Sequence, residues 1–282
     1  MPAISVIVIA YNEAKTISRS IEAILKQSFD DFKLIVVDDG SDDHTSAAVK
    51  KFNDKRIKLI RNKKNLGVSR ARNIGLTNVS GEYVFFTDAD CIPESDWLMQ
   101  GVTVFETNNC MGVEGRTLYE IQSPTLSDRY FEIPEGKQYC CCNMAYRRDV
   151  FEDVGGFRRR YNHALEDRDL AFRVMKKGKL LFNPSMLVYH QHVKWTVKSL
   201  LNNAKRAKYT VRFVKEYNDR SALVWRIALP RLLLDAIFPM IFFRYKIRRL
   251  EDLLMLPILY LRAALTRLYI WKTAIEERIL IF

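Results

Sequence analysis

Two aspartates one residue apart, Asp88 and Asp90, close the run YVFFTDADC. The residues before them, Tyr83-Val84-Phe85-Phe86, are apolar enough to be buried. Carboxylates at the end of such a run either cap a turn in solvent or are held together by something positive. Flanking the single Ala89, they project from nearby points of a bending strand end and can share one hard divalent ion and its waters. Mg²⁺ or Mn²⁺ with oxygen ligands suits that pair, and substrate phosphates usually complete such a shell. Acids recur at Tyr11-Asn12-Glu13 and at Asp38-Asp39-Gly40-Ser41. Asp-Asp-Gly alone is a common turn. Carboxylates gathered at one place, however, repel one another unless a cation or hydrogen-bond donors offset the charge.

The elements that would gather them are legible in the apolar runs. ISVIVIA, residues 4–10, is β-branched without alternation, as in a strand buried on both faces of a parallel sheet. Residues 13–26 place Ile17, Ile21, Ile24 and Leu25 at helical spacing. Residues 34–37, 57–60 and 83–86 read as three further strands, with helical stretches to about Phe52 and through Ala71 and Ile74 between them. Strand and helix alternate four times, which predicts βαβ units and a doubly wound parallel sheet. Ligands bind beyond the carboxyl ends of the strands in such sheets. The three acidic clusters all fall at strand ends, so they should converge on one edge.

Composition narrows the class. The 282 residues are 48% hydrophobic and 28% charged, which excludes disorder as the main state. The net charge of +12 is unevenly spread. Residues 1–139 carry 17 Lys and Arg against 20 Asp and Glu, residues 140–220 carry 18 against 8, and residues 221–282 carry 10 against 5. A basic second half suits an anionic membrane surface, a phosphorylated substrate or nucleic acid. Cys140-Cys141-Cys142 lacks the paired spacing of a zinc site, and the five cysteines read as reduced thiols facing a cytoplasm. No signal peptide is evident, because Met1-Pro2-Ala3 leads directly into the first strand.

Six segments occur in order: IVIAYNEAKTI, VVDDGSDD, NLGVSRARNIGL, GEYVFFTDADCIPESDWL, NMAYRRDVFEDVGGF and ALEDRDLAFRVMKKG. Together they resemble the family 2 glycosyltransferases over roughly residues 3–195. The resemblance implies the GT-A fold, a Rossmann-like, doubly wound, mostly parallel sheet. It implies a domain over 1–195, with a nucleotide-sugar half at 1–110 and an acceptor half at 111–195; beyond it, the residues themselves read as a basic amphipathic helical region at 196–282.

The same resemblance supplies roles. Ala10, Tyr11 and Glu13 would line the base and ribose of a UDP- or GDP-sugar, and Asp38 and Asp39 would recognise the base. Arg72 would face the diphosphate. Asp88 and Ala89 would lie against the ribose or sugar, with Asp90 the more direct ligand of Mn²⁺ or Mg²⁺, Asp88 beside it and His190 the third ligand; His192 is the fallback. Asp167, with Glu166, matches the family's general base, and one base assisting an in-line displacement predicts inversion. Gly155-Gly156-Phe157 resembles an acceptor-side turn. The absence of a Q-x-x-R-W element beyond Trp195 predicts addition of a single sugar.

By themselves the residues leave blander readings open. Arg72 could be a solvated helix arginine, Gly155-Gly156 a helix stop, and Glu166-Asp167 ordinary acids in a first helical turn. Residues 123–139, with two prolines and no periodicity, read either as a mobile loop over the donor or acceptor or as a surface connection. Arg147-Arg148 and Arg158-Arg159-Arg160 suit a phosphate-bearing acceptor or a solvated basic face. Beyond Ser221 the chain turns apolar, but Arg226, Arg231, Asp235 and Arg262 interrupt any run of spanning length. The tail therefore reads as peripheral or monotopic helices at the cytoplasmic face of an anionic membrane, with RYKIRR between two apolar segments, or as a module for homo-oligomerisation or for covering the core. Two rival functions remain, a phosphohydrolase with Asp88 as nucleophile and a basic nucleic-acid-binding protein. The first leaves the other motifs idle, and the second finds no nucleic-acid-binding motif, so a glycan or lipid-linked acceptor is expected and nucleic acid is not.

Overall fold

The computed structural model describes residues 3–218 and 250–279. Tertiary contacts divide the chain into two units, Met1–Glu120 with Phe131–Gln191 and Ile121–Tyr130 with His192–Phe282.

The first unit is built on an eight-stranded sheet in the order β3-β2-β1-β4-β7-β6-β8-β5. Its strands are β1 (Ile4–Ala10), β2 (Phe32–Asp38), β3 (Ile57–Arg61), β4 (Tyr83–Asp88), β5 (Cys91–Pro93), β6 (Gly112–Tyr119), β7 (Asn143–Arg147) and β8 (Leu180–His190). The first four run parallel, joined by α1 (Ile17–Leu25), α2 (Thr45–Lys50) and α3 (Val68–Leu76). The remaining helices are α4 (Trp97–Thr107), α5 (Val150–Val154) and α6 (Glu166–Met175). β1 lacks alternation because both of its faces are covered. Ile4, Val6 and Val8 pack with Ile17, Ile21 and Ile24 of α1 and Trp97 and Leu98 of α4. Ile7 points the other way, to Ala71 of α3, Val150 of α5 and Leu170 and Val174 of α6. β4 divides likewise: Phe85 meets Trp97 edge-on at 5.1 Å, and Phe86 meets Phe157 at 5.5 Å. Each fully buried aromatic contributes about 1.5–3 kcal/mol of transfer free energy, so the strand carrying the Asp pair is firmly held.

Two features differ from the expected pattern. β7 pairs antiparallel with both β4 and β6, so the sheet becomes mixed beyond β4. A buried run such as NMAYR satisfies either direction. The first helix begins at Ile17 rather than at residue 13, because Asn12 adopts a left-handed backbone (φ 61°) and Glu13 accepts the N–H of Thr16 and Ile17 in a preceding turn.

The second unit contains α7 (Val197–Ala204), α8 (Ala207–Tyr217) and α9 (Leu250–Glu276). α7 opens on a capping box between Thr196 and Ser199. Leu259 of α9 packs with Leu200 and Leu126, and Ile270 and Ala274 pack with Ala207, Val211 and Val214 of α8. Arg262, taken from the sequence as an interruption of the apolar tail, is accommodated in this packing. It donates to Asn203 Oδ1 at 3.1 Å and lies over the Trp195 ring. One helix among the described residues is long and apolar enough to cross a membrane by length and composition, residues 252–276, an 18-residue window of which has mean hydropathy 1.5. Arg262 still interrupts its apolar run, as expected from the sequence, and so does Arg267. The segments ALVWRIALPRLLLDAIFPMIFF and RYKIRR lie outside the described residues.

Candidate functional site

The parallel register sets the site's floor. Ala10 at the end of β1 is level with Asp38 of β2, Ile9 is level with Asp88 of β4, and Asp38 is level with Arg61 of β3. The acidic clusters therefore meet at one sheet edge. Asp38 and Asp39 are both buried, and local donors engage them. Asp38 accepts from the Ser41 N–H at 2.9 Å and from the Ser46 hydroxyl. Asp39 accepts from the Asn62 side chain at 2.7 Å and from the backbone N–H of Leu66 and Gly67. These bonds hold the loop after β3 against Gly40, where a Cβ would fall 2.3 Å from the Lys64 backbone and where φ is +75°. Only glycine tolerates both constraints.

Between these loops lies a pocket of about 320 Å³ lined by Gly40, Ser41, Arg61, Asn62 and Lys63. Arg61, Asn62 and Lys63 were not among the residues singled out from sequence, although RNKKN directly follows a strand and is the kind of polar strand end that flagged the others. Tyr11 stands 46% exposed at the same edge, while the Asn12 N–H is tied to Ser41 Oγ and the Glu13 N–H to Thr45 Oγ1.

Arg72 is 4% exposed, so it is not a solvated helix arginine. Its Nη1 donates to Glu166 Oε1 at 2.5 Å and its Nη2 to Asp88 Oδ1 at 3.3 Å, and its guanidinium lies over the Phe157 ring. Burial works against its charge, but the acidic groups at Cys141, Glu166 and Asp88 more than offset that and hold its pKa well above the usual value. Burial pushes Asp88 up, Arg72 pulls it down, and the Asp90 carboxylate pushes it up again, for a net rise. One cation thus joins the strand carrying the Asp pair to the helix carrying Glu166 and Asp167. Leu165, just before that helix, has a left-handed backbone (φ 64°), a strained conformation for a branched residue. It turns the chain sharply into the Glu166-Asp167 pair. Asp167 is half-buried; its Oδ2 accepts from the Cys141 N–H at 3.4 Å.

β5 and β8 pair antiparallel, bringing Cys91 level with His190. His190 Nε2 lies 3.5 Å from Asp90 Oδ2. His190 Nδ1 lies 3.2 Å from the Gln191 carbonyl, and the Gln191 side chain donates to Thr16 O and Ser20 Oγ. Asp90, Cys91 and His190 each offer a buried ligand atom, all within 4.8 Å of one another, a donor set that one divalent ion could bridge. Asp88 is not in that group; it faces Arg72. A hydrogen bond from Cys142 favours the Cys91 thiolate, yet burial and the carboxylates of Asp90 and Asp88 push the thiol up to about 11. All five cysteines are free thiols. His192, the alternative imidazole, pairs instead with Asp128 in the second unit at 2.6 Å.

Glu114 was missed from sequence. It is buried on β6 and accepts the consecutive backbone N–H groups of Lys137, Gln138 and Tyr139 at 2.6, 3.1 and 2.6 Å. That cradle fixes the stretch leading to Cys141, whose N–H meets Asp167. Gly155 closes α5 in the left-handed conformation, and Asn73 holds both the N–H and the carbonyl of Phe157. The turn at Gly155-Gly156-Phe157 is thereby a helix stop that seats Phe157 under Arg72.

Known proteins resemble this chain in sequence and in fold. The chain is 32% identical to an uncharacterized glycosyltransferase of Haemophilus influenzae over 71% of its own length and 61% of that protein's. It is 38% identical to the UDP-Glc:alpha-D-GlcNAc-diphosphoundecaprenol beta-1,3-glucosyltransferase WfgD of Escherichia coli, over 42% of this chain and 46% of that one. The chain thus aligns with about half to three fifths of these relatives' lengths. The fold superposes on the mannosyltransferase PcManGT of Pyrobaculum calidifontis, solved with GDP-Man and Mn²⁺, with a TM-score of 0.65 at 20% identity, covering 96% of this chain and 87% of that one. The sequence model of Glycosyl transferase family 2 matches residues 5–155, the stretch that carries the strand-end acids, Arg72 and the Asp88-Ala89-Asp90 element. The chain belongs to glycosyltransferase family 2.

Proposed function

We propose that the protein is a metal-dependent, inverting glycosyltransferase that moves one sugar from a UDP- or GDP-sugar to a hydroxyl or phosphate acceptor, carried on a lipid at the cytoplasmic face of a membrane. The observation that carries this reading is the bridge Glu166–Arg72–Asp88, which couples the donor edge of the sheet to the helix bearing Asp167. Tyr11 offers an exposed ring on which a base can stack, and the pocket at Gly40, Ser41 and Arg61 can receive it. Arg72 supplies a fixed positive charge for the diphosphate. Asp90 and His190 would hold Mn²⁺ or Mg²⁺, which when bound supplies Lewis-acid stabilisation of the departing diphosphate. Asp167 accepts the acceptor's proton as its oxygen attacks, with the Cys141 N–H orienting the carboxylate. Attack from the side opposite the leaving group inverts the anomeric carbon.

Support for the donor and acceptor classes comes from the relatives, one bound to GDP-Man with Mn²⁺ and one named for a UDP-Glc donor and a diphosphoundecaprenol-linked acceptor. Support for the membrane comes from α9, whose Leu254, Leu261, Leu268 and Ile275 are exposed at a seven-residue interval. α7 and α8 pack along its other side and carry Lys198, Lys208 and Arg212, with Lys205 in the turn between them, charges that favour a helix lying in the interface over one crossing the hydrocarbon. Asp167→Asn tests the central assignment. It should bind nucleotide sugar as the wild type does and lose transfer by about 100-fold or more; undiminished turnover would remove Asp167 from the base role.

A further inference from the structure

We infer that Cys91 is a third ligand of the divalent-ion site and gives it a preference for thiophilic ions such as Zn²⁺, Co²⁺ and Cd²⁺ over Mn²⁺ and Mg²⁺. The inference rests on the proposed function in placing an ion at Asp90 and His190. Cys91 is fully buried, and its Sγ lies 3.9 Å from Asp90 Oδ1. The short β5–β8 pairing sets it level with His190. A tetrahedral ion with ligands at about 2.0–2.3 Å holds their atoms about 3.3–3.8 Å apart. The Asp90–His190 separation of 3.5 Å already meets that spacing, and the three ligand atoms, within 4.8 Å of one another, need draw in by at most about 1.0–1.5 Å.

The chemistry of the donors points the same way. Carboxylate, imidazole and thiolate together are a zinc-type set, whereas Mg²⁺ and Mn²⁺ favour oxygen. Binding replaces the thiol proton with the ion, and the proton leaves to solvent. Asp90 and the Cys91 thiolate then balance the 2+ charge. The surroundings hold the ligands in place: the Gln191 carbonyl meets His190 Nδ1, leaving Nε2 for the ion, and Cys142 hydrogen-bonds the Cys91 sulfur while itself contacting the Thr117 hydroxyl at 3.6 Å. The site consequently admits two classes of ion. A hard ion is held by Asp90 and His190 and leaves room for phosphate oxygens; a soft one is held by three protein ligands and is slower to leave. Zn²⁺ at low concentration would displace the hard ion.

The test uses metal-free full-length protein. Titration with Co²⁺ should produce a near-ultraviolet thiolate-to-cobalt charge-transfer band that Zn²⁺ abolishes stoichiometrically. Cys91→Ser should lose the band and lower the Zn²⁺-over-Mn²⁺ preference by about tenfold or more, with Mn²⁺ followed by electron paramagnetic resonance. Cys142→Ser should keep the band. Cys91→Ala serves as the second variant, and circular dichroism checks that each protein is folded. Co²⁺ binding without the band, a band that persists in Cys91→Ser, or a band lost only in Cys142→Ser would overturn the inference and leave the proposed function standing. Failure of both Mn²⁺ and Co²⁺ to bind would overturn the metal dependence proposed above together with this inference.

Discussion

Arg72 joins two carboxylates that lie 16 and 94 residues away in the chain. Removing a buried partner leaves its counterpart charged and unpaired, which costs about 3–5 kcal/mol. Glu166 is buried and Asp88 partly exposed, so the larger share of that cost falls on Glu166. Arg72→Ala should destabilise the protein by about 3 kcal/mol in urea unfolding, and Arg72→Ala combined with Glu166→Gln should recover part of the loss. A purely additive double-variant cycle would show that the pair is not coupled. The Asp88-Ala89-Asp90 element was legible because it closes an apolar run that marks a buried strand, whereas Arg72 was picked out by the resemblance to family 2 and not by its own segment. The Arg72–Glu166 pairing was not, because nothing local in SRARN or ALEDRD refers to the other. The left-handed Leu165 was equally invisible: leucine has no preference for positive φ, and the strain is imposed by the surrounding fold.

Among the elements, the four parallel strands could be read from their apolar runs; in β1, β2 and β4 burial on both faces suppresses alternation, while β3 at the sheet edge is only partly buried. The antiparallel insertion of β7 could not, because direction leaves no trace in five buried residues. Nor could the stretch before Cys140, which has no periodicity and takes its shape from one carboxylate on another strand. Burial raises the Glu114 pKa, the N–H groups of Tyr139, Lys137 and Gln138 partly counter this, and the Asp167 charge raises it further. A folded-state pKa above the unfolded one contributes stability below the unfolded value, and that contribution is lost as pH rises through the folded value. The unfolding free energy of the wild type relative to Glu114→Gln should therefore be most favourable below about pH 4.3, the ordinary glutamate value, and should decline toward neutrality. A difference that grew with pH would contradict the desolvated setting of Glu114. Gly40→Ala faces both a backbone clash and a positive φ, and should cost about 1–3 kcal/mol in thermal unfolding while weakening nucleotide binding through the displaced loop.

For the whole molecule, the proposed membrane contact rests on the uneven charge and on the exposed apolar stripe of α9. Leu254→Glu, Leu261→Glu and Leu268→Glu lie on the exposed stripe of α9 and away from its contacts with α7 and α8. Together they should release the protein from anionic vesicles in flotation while leaving donor binding intact; unchanged flotation would assign the stripe to another partner. The central claim, that converging strand ends build a nucleotide-sugar site completed by a divalent ion, is tested most directly by calorimetric titration of UDP- and GDP-sugars with and without Mn²⁺. The account predicts that one nucleotide class binds tightly only when Mn²⁺ is present, and that Asp90→Asn abolishes this dependence. Equal binding with and without Mn²⁺, or no binding by any nucleotide sugar, would contradict it.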